Sequence, residues 1–298
     1  MATLVRPEAA APERVEAPRR WFEPLYLLVA GLVLALVVVE AVAARWGSGD
    51  FWEHAAAVRA LAAHPLRPHH PLLDSGSPSA FFTPYHLVVG LFSRATGIGA
   101  MGSLAIFGVV NAAFVLATLP GFVRLFTTRR HAPTIVLVFT LLLWGPHPIL
   151  WSGMLHLDVI ASNAPFPSAF AIGLTLAGLV AWDRWLRTND RGLLALVVVD
   201  SALLALVHPT TEALFLLGVA ALLLAAPLDV VRARWWAVLP IGATAAVAAV
   251  AWPYFSMLEV VTTWGERFYA TDRRTMTRSA GWIHRGGRVG MQPSRLSW

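Results

Sequence analysis

Asp50 and His54 stand four residues apart in the stretch Asp50-Phe-Trp-Glu-His54. They share one face if a helix includes position 50. A carboxylate can take a proton from a hydroxyl, and arginine or histidine can pair with a phosphate. The same region supplies the second kind of group in Arg59, His64, Arg67, His69 and His70, followed by Asp74. Two further clusters combine imidazole and carboxylate. One is Trp151-Ser-Gly-Met-Leu-His156-Leu-Asp158, and the other is His208-Pro-Thr-Thr-Glu212. A divalent metal could be held if Asp50, Asp74, His156 and Asp158 converge, but their spacing matches no strong metal signature, so no metal site is assigned. There is no cysteine, hence neither a thiolate site nor a disulfide framework. Each group also has a plainer structural reading. Ser48 or Asp50 can cap a helix, and His69 and His70 can be solvated loop residues. His156 and Asp158 can mark the end of a span, and His208-Pro209 can be a turn.

The elements that position these residues are apolar helices. Hydrophobic residues make up 57% of the chain and charged residues only 13%, against roughly 25% charged in a soluble domain. Mean hydropathy is +0.63. About 20 apolar residues cross a bilayer as a helix, and hydropathy predicts seven spans at residues 25–44, 103–123, 134–150, 168–186, 193–207, 213–226 and 236–252. The fold expected is an all-α, polytopic transmembrane bundle. Residues 81–92 are apolar but short, with Pro84, His86 and Arg94 interrupting or flanking them.

Charge decides how that segment is treated. If it does not cross, Arg124, Arg129, Arg130, Arg184, Arg187, Arg191, Arg232 and Arg234 all lie inside with the N-terminal tail. If it crosses, all of them lie outside. The excess of basic residues in cytoplasmic loops favours the first arrangement, with seven spans and an interfacial or re-entrant segment at 81–92; eight spans is the runner-up. The polar, proline-marked segments then gather on the outer face: residues 45–101, 151–168, 208–212 and everything after Pro253. The high pI, about 10.8, does not point to nucleic acid, because the arginines sit in short loops and tails. All 23 basic residues are arginine, which together with the alanine richness suggests a GC-rich bacterial genome. Residues 1–23 read as a disordered cytoplasmic tail. The first apolar run is too long for a signal peptide and lacks a good cleavage site, so a retained helix in a bacterial inner membrane is expected.

The first outer loop is the most informative segment. Residues 51–63 read as a helix with Phe51, Ala55, Val58 and Ala62 on one apolar face, lying on the membrane surface with Trp52 at headgroup level. A proline-rich stretch follows, and Phe-Phe-Thr-Pro-Tyr-His86 leads back to the membrane. A retained first helix, an outer loop opening on an acidic residue, a juxtamembrane helix and an aromatic-Pro-Tyr return resemble the GT-C superfamily of membrane glycosyltransferases. The stretches around His156–Asp158 and His208–Glu212 share that character, and the resemblance spans roughly residues 25–256. Such enzymes take a sugar from a polyprenyl-phosphate carrier and transfer it outside the cytoplasm. The resemblance implies that Asp50 is the general base or binds the acceptor. It places substrate contacts at His54, Arg59, Arg67, His69, His70, His156, Asp158, His208 and Glu212, with Arg59, Arg67, His69, His70 and His208 facing the departing phosphate. It also implies an apolar groove for the polyprenyl chain.

Two carboxylates fall inside predicted spans, where they are costly and usually paired or functional. Glu40 lies near the outer end of its helix, within reach of water or Arg45; Asp200 lies near mid-span. Asp183 and Arg184 read as an anchor pair. Trp144, Trp151 and Trp252 fit an outer aromatic belt, and Trp235 and Trp236 an inner one. Residues 257–298 form a basic tail whose composition turns rich in Arg, Gly and Ser beyond Asp272. Members of the resembled superfamily are usually longer, so truncation or a frame change near the end is expected. Three classes of function stand: a polyprenyl-phosphate-dependent glycosyltransferase, a non-catalytic or degenerate relative, and a transporter or flippase using Asp200 and Glu40. The first is favoured, because the polar residues concentrate outside the spans and no inverted repeat is evident.

Overall fold

The computed structural model describes residues 23–43, 51–73, 78–143, 155–258 and 260. Among them the fold is all helical, with no strand. The helices are α1 (Pro24–Val42), α2 (Phe51–Ala63), α3 (Pro84–Thr96), α4 (Ala100–Val123), α5 (Ala132–Leu142), α6 (Ile160–Asn163), α7 (Pro167–Thr188), α8 (Arg191–Val207), α9 (Pro209–Leu224), α10 (Leu228–Arg234) and α11 (Val238–Ala251), the last two joined by a 3-10 turn at Trp235–Ala237. Proline in the first turn starts α1, α3, α5, α7 and α9, where its missing N–H costs nothing and its fixed φ favours the helix.

Among the described residues, four helices are long and apolar enough to cross a membrane: α1, α4, α7 and the continuous Leu228–Ala251 rod. Each of the seven expected spans overlaps one helical rod, but only four of these are long and apolar enough to cross. Of the others, α8 and α9 run only 17 and 16 residues, and α5 has 11, with the residues from 144 on outside those described. Leu28 and Leu32 on α1, Leu214 and Leu217 on α9, and Leu239 and Val247 on α11 are exposed. Large aliphatic side chains pointing outward along whole helices suit a hydrocarbon solvent better than water.

Contacts fix the direction of each rod. Tyr26 near the start of α1 donates its hydroxyl proton to the carbonyl of Leu116, late in α4, while Val37 meets Ala112, so α1 and α4 are antiparallel. Gly108 lies against Pro165 and Gly173 against Phe114, so α4 and α7 are parallel. Gly178 on α7 meets both Asp200 on α8 and Phe215 on α9. Trp182 Nε1 donates to the Val219 carbonyl (3.0 Å), so α9 follows α7 and α8 opposes both. Arg234, at the start of the last rod, donates to the carbonyls of Trp185 and Leu186 at the end of α7. At the far end of that rod, Trp252 Nε1 donates to the Phe82 carbonyl (2.8 Å).

The rods therefore alternate, and two ends result. One collects Glu23, Arg124, Arg129, Arg130, His131, Arg184, Arg187, Arg191, Arg232 and Arg234. The other collects α2, the loop before α3, α6, His208 and Trp252. Glu23 ties the arginine end together: its buried carboxylate accepts from Thr134 Oγ1 and lies 2.6 Å from His131 Nδ1 and 3.7 Å from Arg130 Nε.

Candidate functional site

The site is built where α2 docks on α3. The helix expected at 51–63 is present with those bounds. Its buried face is broader than predicted, with Phe51, His54, Ala55, Ala57, Val58 and Leu61 inside, while Trp52 stays exposed. So α2 packs into the protein and does not merely rest on a surface. Gly90 makes this possible: a Cβ there would stand 2.9 Å from Leu61 Cβ and 3.2 Å from the backbone of Val58 and Ala62. The two helices run parallel, with His54 beside His86, Leu61 beside Gly90 and Ala62 beside Arg94. The Arg94 guanidinium donates to the Ala62 and Ala63 carbonyls (3.1 Å each) and closes the C-terminus of α2, the end of a helix where a cation belongs. Gly97 takes a left-handed conformation (φ 73°) that ends α3 and turns the chain into α4.

The segment expected at 81–92 forms its helix slightly later, because Thr83 caps it and Pro84 fills its first position. Thr83 Oγ1 accepts from His86 N (3.4 Å) and lies 2.9 Å from His86 Nδ1. His86 Nε2 in turn lies 2.7 Å from His54 Nδ1. Both rings are buried, flanked by Phe81 and, on the His54 side, by Phe166. Thr83, His86 and His54 thus form one hydrogen-bonded chain with two polarities. If His86 Nδ1 holds a hydrogen, its Nε2 accepts from His54; if Thr83 donates, His86 donates to His54. A proton arriving at one end shifts the tautomer of both rings.

Below this chain the helices are tied by an amide. Asn111, buried in α4, donates from Nδ2 to Tyr85 Oη (2.9 Å) and to the Ala164 carbonyl (2.8 Å). Tyr85 donates to the Pro165 carbonyl (2.8 Å). This network links α3, α4 and the start of α7 at one depth, beside His54 and Phe166. From the side, Tyr254 donates to the Pro65 carbonyl and packs on Phe82, so the chain leaving α11 folds back over the loop between α2 and α3.

Asp50, expected to be the base, lies outside the described residues, as do Ser48, Asp74, Arg45, Trp144 and Trp151. His54 is in the site. Arg59, Arg67 and His69 are exposed, with His69 edge-on to His64 (6.0 Å). His70 Nδ1 accepts from the backbone N–H groups of Leu72 and Leu73, which makes it an organiser of its own loop, and burial lowers the pKa of its ring. His156 is buried, accepts from Asp158 N (3.2 Å) and lies 3.8 Å from the exposed Asp158 carboxylate. His208 ends α8, lies 2.6 Å from Thr211 Oγ1, and is held below the ordinary histidine pKa by burial. Glu212 is not in a loop. Pro209 starts α9 at once, so Glu212 falls in its first turn and points inward to Ser201. Among the described residues no three His, Asp or Glu side chains converge as a metal site.

Sequence reasoning passed over His86, Thr83, Tyr85 and Asn111. The signals were Thr-Pro at a helix start and a lone amide in a long apolar helix. No family model matches the chain, and neither a curated protein nor a solved structure matches it.

Proposed function

We propose that this chain is a GT-C-type membrane glycosyltransferase that moves a sugar from a polyprenyl-phosphate donor to a cell-envelope acceptor on the outer side of a bacterial inner membrane. On this reading the seven rods are seven spans, the arginine end is cytoplasmic, and α2 and α3 belong to the first outer loop. The observation that carries the reading is the docking of α2. The helix that begins directly after Asp50 is locked, through His54 and His86, to the end of the bundle opposite the arginines.

The chemistry follows. The Asp50 carboxylate takes the proton of the acceptor hydroxyl. The acceptor oxygen bonds to the anomeric carbon as the bond from that carbon to the phosphate oxygen breaks. The electron pair leaves with polyprenyl phosphate, whose charge Arg59, Arg67, His69, His70 and His208 stabilise. His156 and Asp158 complete the expected substrate contacts of the outer face, while Glu212, turned inward to Ser201, does not join them. If a divalent metal takes part, Asp50, Asp74, His156 and Asp158 supply its oxygen and nitrogen donors. The test is transfer of labelled sugar from a polyprenyl-phosphate donor in membranes containing the protein. Asp50→Ala should insert normally and lose transfer. Unchanged transfer or an unchanged glycan profile in Asp50→Ala would instead fit a non-catalytic or degenerate relative.

One observation favours a transporter or flippase as the second reading: Asp200 and Glu212 are both buried in the bundle. That reading requires ion-dependent uptake or lipid movement that Asp200→Asn abolishes.

A further inference from the structure

Among the described residues, the interior between α7, α8, α9 and α11 holds two carboxylates and no cationic side chain. Asp200 on α8 and Glu212 on α9 are 5% and 6% exposed, and Ser201, the chain neighbour of Asp200, bonds Glu212. Ser201 Oγ donates to Glu212 Oε1 (2.5 Å) and lies 3.4 Å from the Ile241 carbonyl on α11. Asp200 Oδ2 fills the space left by the missing side chain of Gly178: a Cβ there would lie 2.0 Å from that oxygen and 2.7 Å from Phe215 Cε2. Asp200 Oδ2 and Glu212 Oε2 are both buried, and neither has a hydrogen-bond partner among the described residues. So each carboxylate has one unpaired oxygen, and the helices leave a specific vacancy for one of them.

The surrounding helices supply no compensating charge. Apart from Glu212, α9 has no titratable residue, and α11 has none. The charged groups of α7 are Asp183, Arg184 and Arg187, more than a turn from Gly178 towards the arginine end, and the only other one on α8 is Arg191 at its start. On α3, which also touches α8, the titratable groups are Tyr85, His86 and Arg94. His208 caps α8 and is bonded to Thr211. A carboxylate buried in an apolar interior with no cationic partner is costly to ionise, and binding a proton removes that cost.

We propose that Asp200 and Glu212 form a proton-binding site at neutral pH, holding a proton between α8 and α9 with Ser201 fixing the Glu212 carboxylate. The site is separate from the α2–α3 site and does not rest on the glycosyltransferase reading. An alkali cation is the competing occupant, and it would find the two carboxylates, one hydroxyl and one carbonyl.

The experiment is infrared spectroscopy of the full chain in lipid nanodiscs in sodium-free buffer at neutral pH, reading the protonated-carboxyl carbonyl band. The wild type should show the band, and Asp200→Asn/Glu212→Gln should lose it. If the double variant fails to fold, the single variants Asp200→Asn and Glu212→Gln carry the test, because removing either carboxyl must shift or remove the band. Absence of the band at neutral pH, a band that neither single variant changes, or loss of the band on adding sodium at constant pH would overturn the proposal.

Discussion

His54 and His86, one on α2 and one on α3, stack nearly parallel, with ring centroids 4.9 Å apart, an interplanar angle of 10° and Nδ1 of the first 2.7 Å from Nε2 of the second. Two imidazolium rings cannot share that contact, since each would aim an N–H at the other. The pair joins α2 to the bundle by a directional bond as well as by apolar packing. His86→Ala removes the bond and leaves a buried ring nitrogen of His54 without this partner, which costs about 1–3 kcal/mol. Thermal unfolding in detergent reads that loss. In a cycle with His54→Ala the two losses should fail to add by roughly 0.5–3 kcal/mol, whereas additive losses would mean that the contact contributes nothing.

Gly178 makes a second packing prediction. Because Asp200 Oδ2 occupies the place of its Cβ, Gly178→Ala overpacks the junction of α7, α8 and α9, at a cost of about 1–3 kcal/mol or more. Asp200→Ala removes the nearer of the two clashes and leaves the one with Phe215, so Gly178→Ala should cost less in the Asp200→Ala background. Equal destabilisation in both backgrounds would show that the clash lies elsewhere.

The buried amide of Asn111 should matter more than an ordinary polar residue in an apolar helix. Asn111→Ala leaves the Ala164 carbonyl without this donor and loosens Tyr85 from α4, for an expected loss of about 1–3 kcal/mol. Increased proteolysis between α5 and α7 should accompany it; a variant as stable and as resistant as the wild type would contradict the bridging role.

Acid should weaken the fold through His208. Its pKa is held below the ordinary value of 6.5 by burial, so the folded state favours the neutral ring. Above about pH 6.5 both states are neutral and the full stability is present. As pH falls below that, the unfolded chain takes up its proton first, and stability is lost until the folded group titrates too. The melting temperature should drop from about pH 7 to about pH 5, and His208→Gln should flatten that slope. An unchanged slope would remove His208 as the cause.

The bounds of α2 were legible because an apolar face at helical spacing follows a plausible cap. The clustering of arginines at one end was legible from loop charge alone. Two features were not. Residues 208–212 read as a turn, yet Pro209 is compatible with a first helical position, so α9 starts at once and carries Glu212 inward to Ser201. Asp200 stood out as a costly mid-span charge, but its partner was hidden by that misplaced boundary. His86 was likewise hidden: periodicity shows that a residue sits on a helix, while its pairing with His54 depends on Gly90 letting two helices from distant sequence approach.

The central claim is that the histidine-bearing end of the bundle works outside the cell while the arginine end stays in the cytoplasm. The absence of native cysteine allows a direct measurement with single cysteines at exposed positions: Leu66→Cys and Thr210→Cys at one end, Thr128→Cys and Thr188→Cys at the other. Intact bacterial cells would be treated with a membrane-impermeant thiol reagent. The account predicts labelling of Leu66→Cys and Thr210→Cys, with Thr128→Cys and Thr188→Cys reacting only after the cells are opened. Labelling of Thr128→Cys and Thr188→Cys in intact cells, with protection of Thr210→Cys, would contradict it.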